Sequence, residues 1–165
     1  MKIEEYQEAT KVTAMYPRVK ALEYVTLGLI GELAEIEEKI ETDNEVFYEL
    51  GDACWYISQL CNELNFSLEE VFNEIKEFPA GGEMSPFHEI CLIANIVKKV
   101  CRDESDNISE DKKEKIRGYI IKALDFVVGQ LEDPEESFSK VLQSNIDKLS
   151  SRKERGAIKG DGDNR

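Results

Sequence analysis

The chain has 165 residues, 41% of them hydrophobic, and a net charge of −14 at neutral pH. That is enough apolar content for one core and the wrong charge for a protein that grips nucleic acid, which needs clustered Lys and Arg against phosphates. No apolar run reaches the roughly eighteen residues of a membrane span, and Met1-Lys2-Ile3-Glu4-Glu5 lacks a signal-peptide core. A soluble, cytoplasmic protein with no membrane partner is expected.

Helical periodicity accounts for almost the whole chain. A first amphipathic segment, 3–15, stops ahead of Pro17, which cannot sit inside a helix. A second, 19–41, carries Leu22, Val25, Leu29, Leu33 and Ile36 at helical spacing. A third, 45–64, has Asn44 as the expected N-cap and Val46, Leu50, Trp55, Ile57 and Leu60 on its apolar face. Ser67 with Glu70 three residues on is a capping box that opens a short helix to Glu77. The Pro- and Gly-rich stretch 79–86 then divides the chain. Cys54, Cys61, Cys91 and Cys101 show no zinc spacing and lie in apolar-periodic segments, so they are expected as reduced core residues.

The second half reads as a repeat of the first. Segment 89–99 aligns with 32–42, 120–131 with 49–60 and 137–141 with 67–71, at offsets of 57, 71 and 70 residues, so one 14-residue insertion restores register. Trp55 then aligns with Phe126 and Leu68 with Phe138. The fold class expected is an all-α bundle of two tandem helical hairpins, each covering the other's apolar face. Residues 1–78 form the first repeat, 86–155 the second and 156–165 a tail.

Chemistry is concentrated in the first repeat. Glu32-Leu33-Ala34-Glu35 and Glu49-Leu50-Gly51-Asp52 are two acid pairs separated by thirteen residues. Spacing of i, i+3 puts both acids of a pair on one helix face. Two such helices packed together converge four carboxylates, which is unfavourable unless positive charge sits between them. A hard divalent cation with oxygen ligands, Mg²⁺ or Mn²⁺, is the simplest remedy. Glu38, a further turn along, is a candidate outer acid or base. In the repeat alignment Glu32 corresponds to Glu89, but Glu35, Glu49 and Asp52 correspond to Leu92, Ile120 and Ala123, so the second half has no such site. It offers Lys98, Lys99 and Arg102 instead, cations suited to phosphate oxygens.

Leu27-Gly28-Leu29-Ile30-Gly31-Glu32-Leu33-Ala34-Glu35 followed by Glu49-Leu50-Gly51-Asp52-Ala53-Cys54-Trp55-Tyr56 resembles the E-x-x-E, E-x-x-D signature of the MazG-like, all-α nucleoside triphosphate pyrophosphohydrolases. Asn145-Ile146-Asp147-Lys148-Leu149-Ser150-Ser151-Arg152 resembles the family's N-x-x-K-L-x-x-R segment, and Glu5-Tyr6-Gln7 and the tail 160–165 add to the likeness. Lys98-Lys99-x-x-Arg102-Asp103 resembles a basic stretch that members carry after their first acid pair. The resemblance implies a hydrolase acting on acid anhydrides. It would cleave a nucleoside triphosphate between the α and β phosphates to a monophosphate and pyrophosphate.

On that resemblance Glu32, Glu35, Glu49 and Asp52 hold Mg²⁺, with Mn²⁺ as substitute. Lys148 and Arg152, four apart on one helix face, bind phosphate, joined by Asn145, Arg155, Lys98, Lys99 and Arg102. Members commonly build a four-helix core by dimerising. This chain looks like such a dimer fused and specialised, so a homodimer is not needed to complete the core. Two other classes stay open: a carboxylate-bridged di-metal protein, disfavoured because no His falls at the i+3 positions, and a non-catalytic acidic module that binds a partner around Gly81-Gly82. Trp55 is expected in the core, and His88 at the surface without a role.

Overall fold

The computed structural model describes residues 1–77, 86–103 and 108–157, with Glu135 as backbone alone. The break at 79–86, except Pro86, and the tail at 160–165 lie outside the described residues, as does the Gly81-Gly82 loop. The described residues form α1 (Ile3–Thr13), α2 (Ala21–Glu41), α3 (Phe47–Leu64), α4 (Leu68–Glu77), α5 (Phe87–Arg102), α6 (Glu110–Gly129) and α7 (Pro134–Glu154), with no strand among them. None of these helices is long and apolar enough to cross a membrane.

Local chemistry sets most helix ends. After Pro17 a single 3-10 turn, Arg18–Lys20, leads into α2. The end of α2 is a left-handed cap at Asp43, φ 55°. Asn44 N–H donates to Lys39 O at 2.8 Å and Asp43 N–H to Ile40 O at 3.2 Å, the paired bonds that close a helix of this kind. Asn44 is therefore used in closing α2. It does not cap α3, and its Nδ2 donates to Thr42 Oγ1 at 2.8 Å. Asn65, φ 61°, ends α3 in the same way, and Glu70 N–H donates to Ser67 Oγ at 3.2 Å to open α4 as the capping box predicts. Gln7 of α1 clamps that α3 to α4 turn: its Oε1 accepts from Leu68 N–H at 2.8 Å and its Nε2 donates to Phe66 O at 2.9 Å.

Three helices run further than the periodicity predicts: α5 extends by two residues before and three after the expected 89–99, and α6 and α7 by more. α6 begins at Glu110 because its first turns, Glu-Asp-Lys-Lys-Glu-Lys, are strong helix formers with no apolar stripe. α7 starts at Pro134, a favoured first helical residue, behind the Asp133 cap, and continues to Glu154.

The core lies where α2 packs on α3 and α5, α3 on α6, α7 and α1, and α4 on α6. Leu29, Leu33, Ile36, Leu50, Ile57 and Leu60 are at most 1% exposed, and each contributes about 1.5–3 kcal/mol by burial. When α2 exchanges with α5, α3 with α6 and α4 with α7, the packing of α2 on α3 maps onto that of α5 on α6 and the packing of α3 on α7 onto that of α4 on α6, whereas α1 on α3 and α6 on α7 have no counterpart of like extent among the described residues. Burial recurs likewise: Thr26, Leu29, Leu33 and Ile36 return 64 residues on as Ile90, Ile93, Val97 and Val100, and Leu68, Val71, Phe72 and Ile75 return 70 residues on as Phe138, Val141, Leu142 and Asn145. The first offset differs by one heptad from the sequence alignment, a shift that apolar periodicity alone does not resolve.

Trp55 is buried, its indole N–H donating to Thr13 Oγ1 at 2.9 Å, and His88 is exposed. Of the cysteines, Cys54 and Cys61 are buried as expected, whereas Cys91 and Cys101 are exposed. The buried stripe of α5 is Ile90, Ile93, Val97 and Val100, and both cysteines fall one position outside it.

Candidate functional site

The two acid pairs face each other across the α2 to α3 hairpin, one pair on each helix. Glu32 is the acid most affected by the others. Burial, then the charges of Asp52 and Glu35, push its carboxyl up from 4.5 to about 8, with Lys148 opposing and Glu49 adding to the rise. Asp52 is raised too, by burial first and with Glu49 adding, although Lys148 and Arg152 pull it down. Glu35 is exposed at the rim.

Cations and amides from elsewhere close around these acids. Lys148 Nζ of α7 lies 2.6 Å from Asp52 Oδ2, and Asn145 Nδ2 donates to Asp52 Oδ1 at 2.8 Å. Arg152, 7% exposed, adds its charge near Asp52. Thus α7 brings Asn145, Lys148 and Arg152 to one acid, as spacings of three and four on one helix face require. Gly51 allows that approach: a Cβ there would stand 3.1 Å from Asn145 Cβ. Lys148 Nζ also sits 5.8 Å from the centre of the Tyr48 ring.

Two residues that the acid motifs did not flag complete the arrangement. Lys39 Nζ is 2.5 Å from Glu49 Oε1. It lies seven residues after Glu32, within about 20° of it around the helix, so helical geometry held the signal. Tyr6, fully buried, donates its hydroxyl to Asn145 Oδ1 at 3.0 Å, and burial raises its pKa well above the usual tyrosine value. Of the other expected residues, Glu38 is exposed and points about 120° around α2 from Glu32. Arg155 is exposed at the C-cap of α7, its Nε donating to Ser151 O at 3.3 Å. Lys98, Lys99 and Arg102 are exposed on α5. The end of α5 that carries them is tied to α2 at Glu23, which bonds Cys101, nine residues or about 13 Å along the helix from Glu32. Arg102 pairs with its neighbour Asp103 at 2.6 Å.

One atom stands out. Glu49 is 8% exposed, and its Oε2 is buried without a hydrogen-bond partner among the described residues. A bare carboxylate oxygen inside a protein is unfavourable by several kcal/mol unless something positive meets it. Oxygen donors of this kind suit Mg²⁺ or Mn²⁺, so the residues fit such an ion. Among the described residues no three acidic, His or Cys groups already stand as a ligand set. One oxygen of Glu49 and one of Asp52 are instead engaged by Lys39 and Lys148.

The Gene 37 protein of Mycobacterium phage L5 is 36% identical to this chain, over a match covering 43% of this chain and 79% of the phage protein. The chain belongs to the family of that phage protein. Neither a protein-family model nor a solved structure matches it.

Proposed function

We propose that this chain is a Mg²⁺-dependent, MazG-like nucleoside triphosphate pyrophosphohydrolase built from an active and a degenerate hairpin repeat. The observation that carries the proposal is Glu49 Oε2, a buried and partnerless anionic oxygen among four convergent acids. The repeat is supported by the partial exchange symmetry of the helix packing and by the recurrence of buried positions 64 and 70 residues on. In the register set by burial, Glu32 and Glu35 correspond to Ile96 and Lys99, so the second half holds no equivalent of the first acid pair.

Glu32, Glu35, Glu49 and Asp52 would hold the ion. Bound there, a divalent cation supplies positive charge to the triphosphate and acidifies water. The chain's own residues bind and position the substrate, which is most of what phosphoryl chemistry asks of a protein. Lys148 Nζ and Arg152, and Lys39 once Glu49 turns to the ion, present cations to phosphate oxygens. Asn145 fixes the orientation of Asp52. Water adds to the α phosphorus, the bond to the α,β bridging oxygen breaks, pyrophosphate leaves with that oxygen, and the water's proton passes to solvent or a site carboxylate.

The test is pyrophosphate release from a panel of ribo- and deoxyribonucleoside triphosphates with Mg²⁺ or Mn²⁺. Metal-dependent release that is lost in Glu49→Gln is the expected result. No release from any member with either ion would leave an acidic binding module as the better description.

A further inference from the structure

Gly31 is a helix-interior glycine for which the fold supplies no reason. It is exposed, and a Cβ built on it would meet nothing within 4 Å. Its neighbour Gly28 differs: a Cβ there would lie 2.1 Å from the Tyr56 ring, so packing demands that glycine. An unneeded glycine inside a helix is destabilising relative to alanine, because it orders a more flexible backbone for no packing gain. Open space kept at such a position suits a ligand that must approach the backbone closely.

What flanks the space gives it a direction. Tyr24, Gly28, Gly31 and Glu35 follow one another at i, i+4, i+7 and i+11, one stripe along α2. On the N-terminal side of Gly31 the Tyr56 ring covers Gly28, Tyr24 lies 6.1 Å from Tyr56 between centroids, and Tyr16 stacks on Tyr24 at 5.1 Å. Tyr24 is 46% exposed, so this aromatic wall is open to a ligand. On the C-terminal side is Glu35, whose side chain leans back over the turn that holds Gly31, as helical side chains do. Beside it are Glu32 and the partnerless oxygen of Glu49. Aromatic faces at one end and cation-seeking acids at the other match a flat heterocycle joined to a phosphate chain.

We propose that the notch over Gly31 receives the nucleoside part of the substrate, with the base against Tyr24 and Tyr56 and the phosphates running towards Glu35 and Lys39. The inference rests on the triphosphate chemistry proposed above and assigns the orientation of substrate on α2. The notch binds nucleoside monophosphates as well, because they carry the same ring and one phosphate.

The experiment compares the full-length protein with Gly31→Ala in calorimetric titration with nucleoside monophosphates, in triphosphate turnover and in thermal unfolding. The expected result is tenfold or more weaker monophosphate binding and a tenfold or greater rise in KM, while the midpoint of unfolding stays the same or rises. Hydrolysis of inorganic tripolyphosphate, which has no nucleoside part, should change less than twofold. Unchanged monophosphate affinity in Gly31→Ala, equal losses on tripolyphosphate and nucleotide, or no monophosphate binding by the unaltered protein would each overturn the assignment. Monophosphate binding that is sensitive to Gly31→Ala, in a protein that hydrolyses no triphosphate, would sink the catalytic proposal and leave the notch standing. The reverse pattern, turnover intact in Gly31→Ala, would sink the notch alone.

Discussion

The hydroxyl of Tyr6 stands 3.0 Å from Asn145 Oδ1 and thereby turns the other end of that amide, Nδ2, onto Asp52 at 2.8 Å. A residue at the start of the chain thus sets the orientation of an acid in α3 through a side chain of α7. Tyr6→Phe keeps the ring that fills the core but leaves Asn145 Oδ1 buried without its donor. A loss of about 1–3 kcal/mol in urea unfolding is expected for such an orphaned acceptor. Turnover should fall as well, since Asp52 loses its fixed position. Unchanged stability would show that water replaces the phenol at Asn145.

Glu49→Gln tests the site through the metal rather than through the reaction. If Glu49 Oε2 awaits a cation, Mg²⁺ stabilises the unaltered protein by mass action, about 2.7 kcal/mol at a hundredfold excess over its Kd. Removal of the charge should abolish most of that gain. In the absence of metal the variant forfeits the ion pair to the part-exposed Lys39 but relieves the bare oxygen, so its stability should stay within about 1 kcal/mol of the parent's. Differential scanning calorimetry with and without Mg²⁺ gives both numbers, and an equal Mg²⁺ response in the two proteins would remove Glu49 from the ligand set.

Much of this site is written in local spacing. The i, i+3 pairs on α2 and α3, and Asn145, Lys148 and Arg152 on α7, could be placed on helix faces from sequence because periodicity fixes faces. Periodicity does not name the partner of a face. Tyr6 and Asn145 meet across 139 positions of sequence, and nothing within α1 points to α7. Lys39 was legible in principle, since it lies on the same stripe as Glu32, whereas Glu38 shares the acidic character of the motif but not its face. Cys91 and Cys101 fell on the wrong side of α5 because apolar composition is a weaker guide to burial than angular position. Asn44 suited an N-cap by type, yet the left-handed closure at Asp43 had already engaged it.

The metal-free protein should lose stability as pH rises through the range in which Glu32 ionises. Its carboxyl is raised to about 8 in the folded chain against 4.5 ordinarily, so the unfolded chain releases this proton at lower pH. The contribution is fully present below about pH 4.5 and is lost as pH climbs towards 8, by an amount on the order of a few kcal/mol. Asp52, raised by burial, acts in the same direction. Urea unfolding in chelator at pH 5, 6.5 and 8 should show a decline that is markedly smaller in Glu32→Gln. An identical decline in that variant would place the responsible group elsewhere.

Gly28→Ala should destabilise the protein even though alanine is the better helix former. The substitution gains about 1 kcal/mol of helix propensity, but its Cβ would come 2.1 Å from Tyr56 Cε1 and 2.3 Å from Cζ. These are carbons of a rigid ring packed edge-on against Trp55, with ring centroids 5.0 Å apart, so the clash can be relieved only by moving the whole ring. Overpacking of this kind costs about 1–3 kcal/mol, and the clash is severe enough to place it at the upper end. A net loss of about 1–2 kcal/mol in urea unfolding follows, opposite in sign to the effect of Gly31→Ala three residues away. Because Tyr56 would have to swing off α2 to make room, Gly28→Ala should also disturb the aromatic wall beside Glu32. Turnover that survives unchanged in a measurably destabilised Gly28→Ala protein would show that the position of Tyr56 matters to folding and not to substrate.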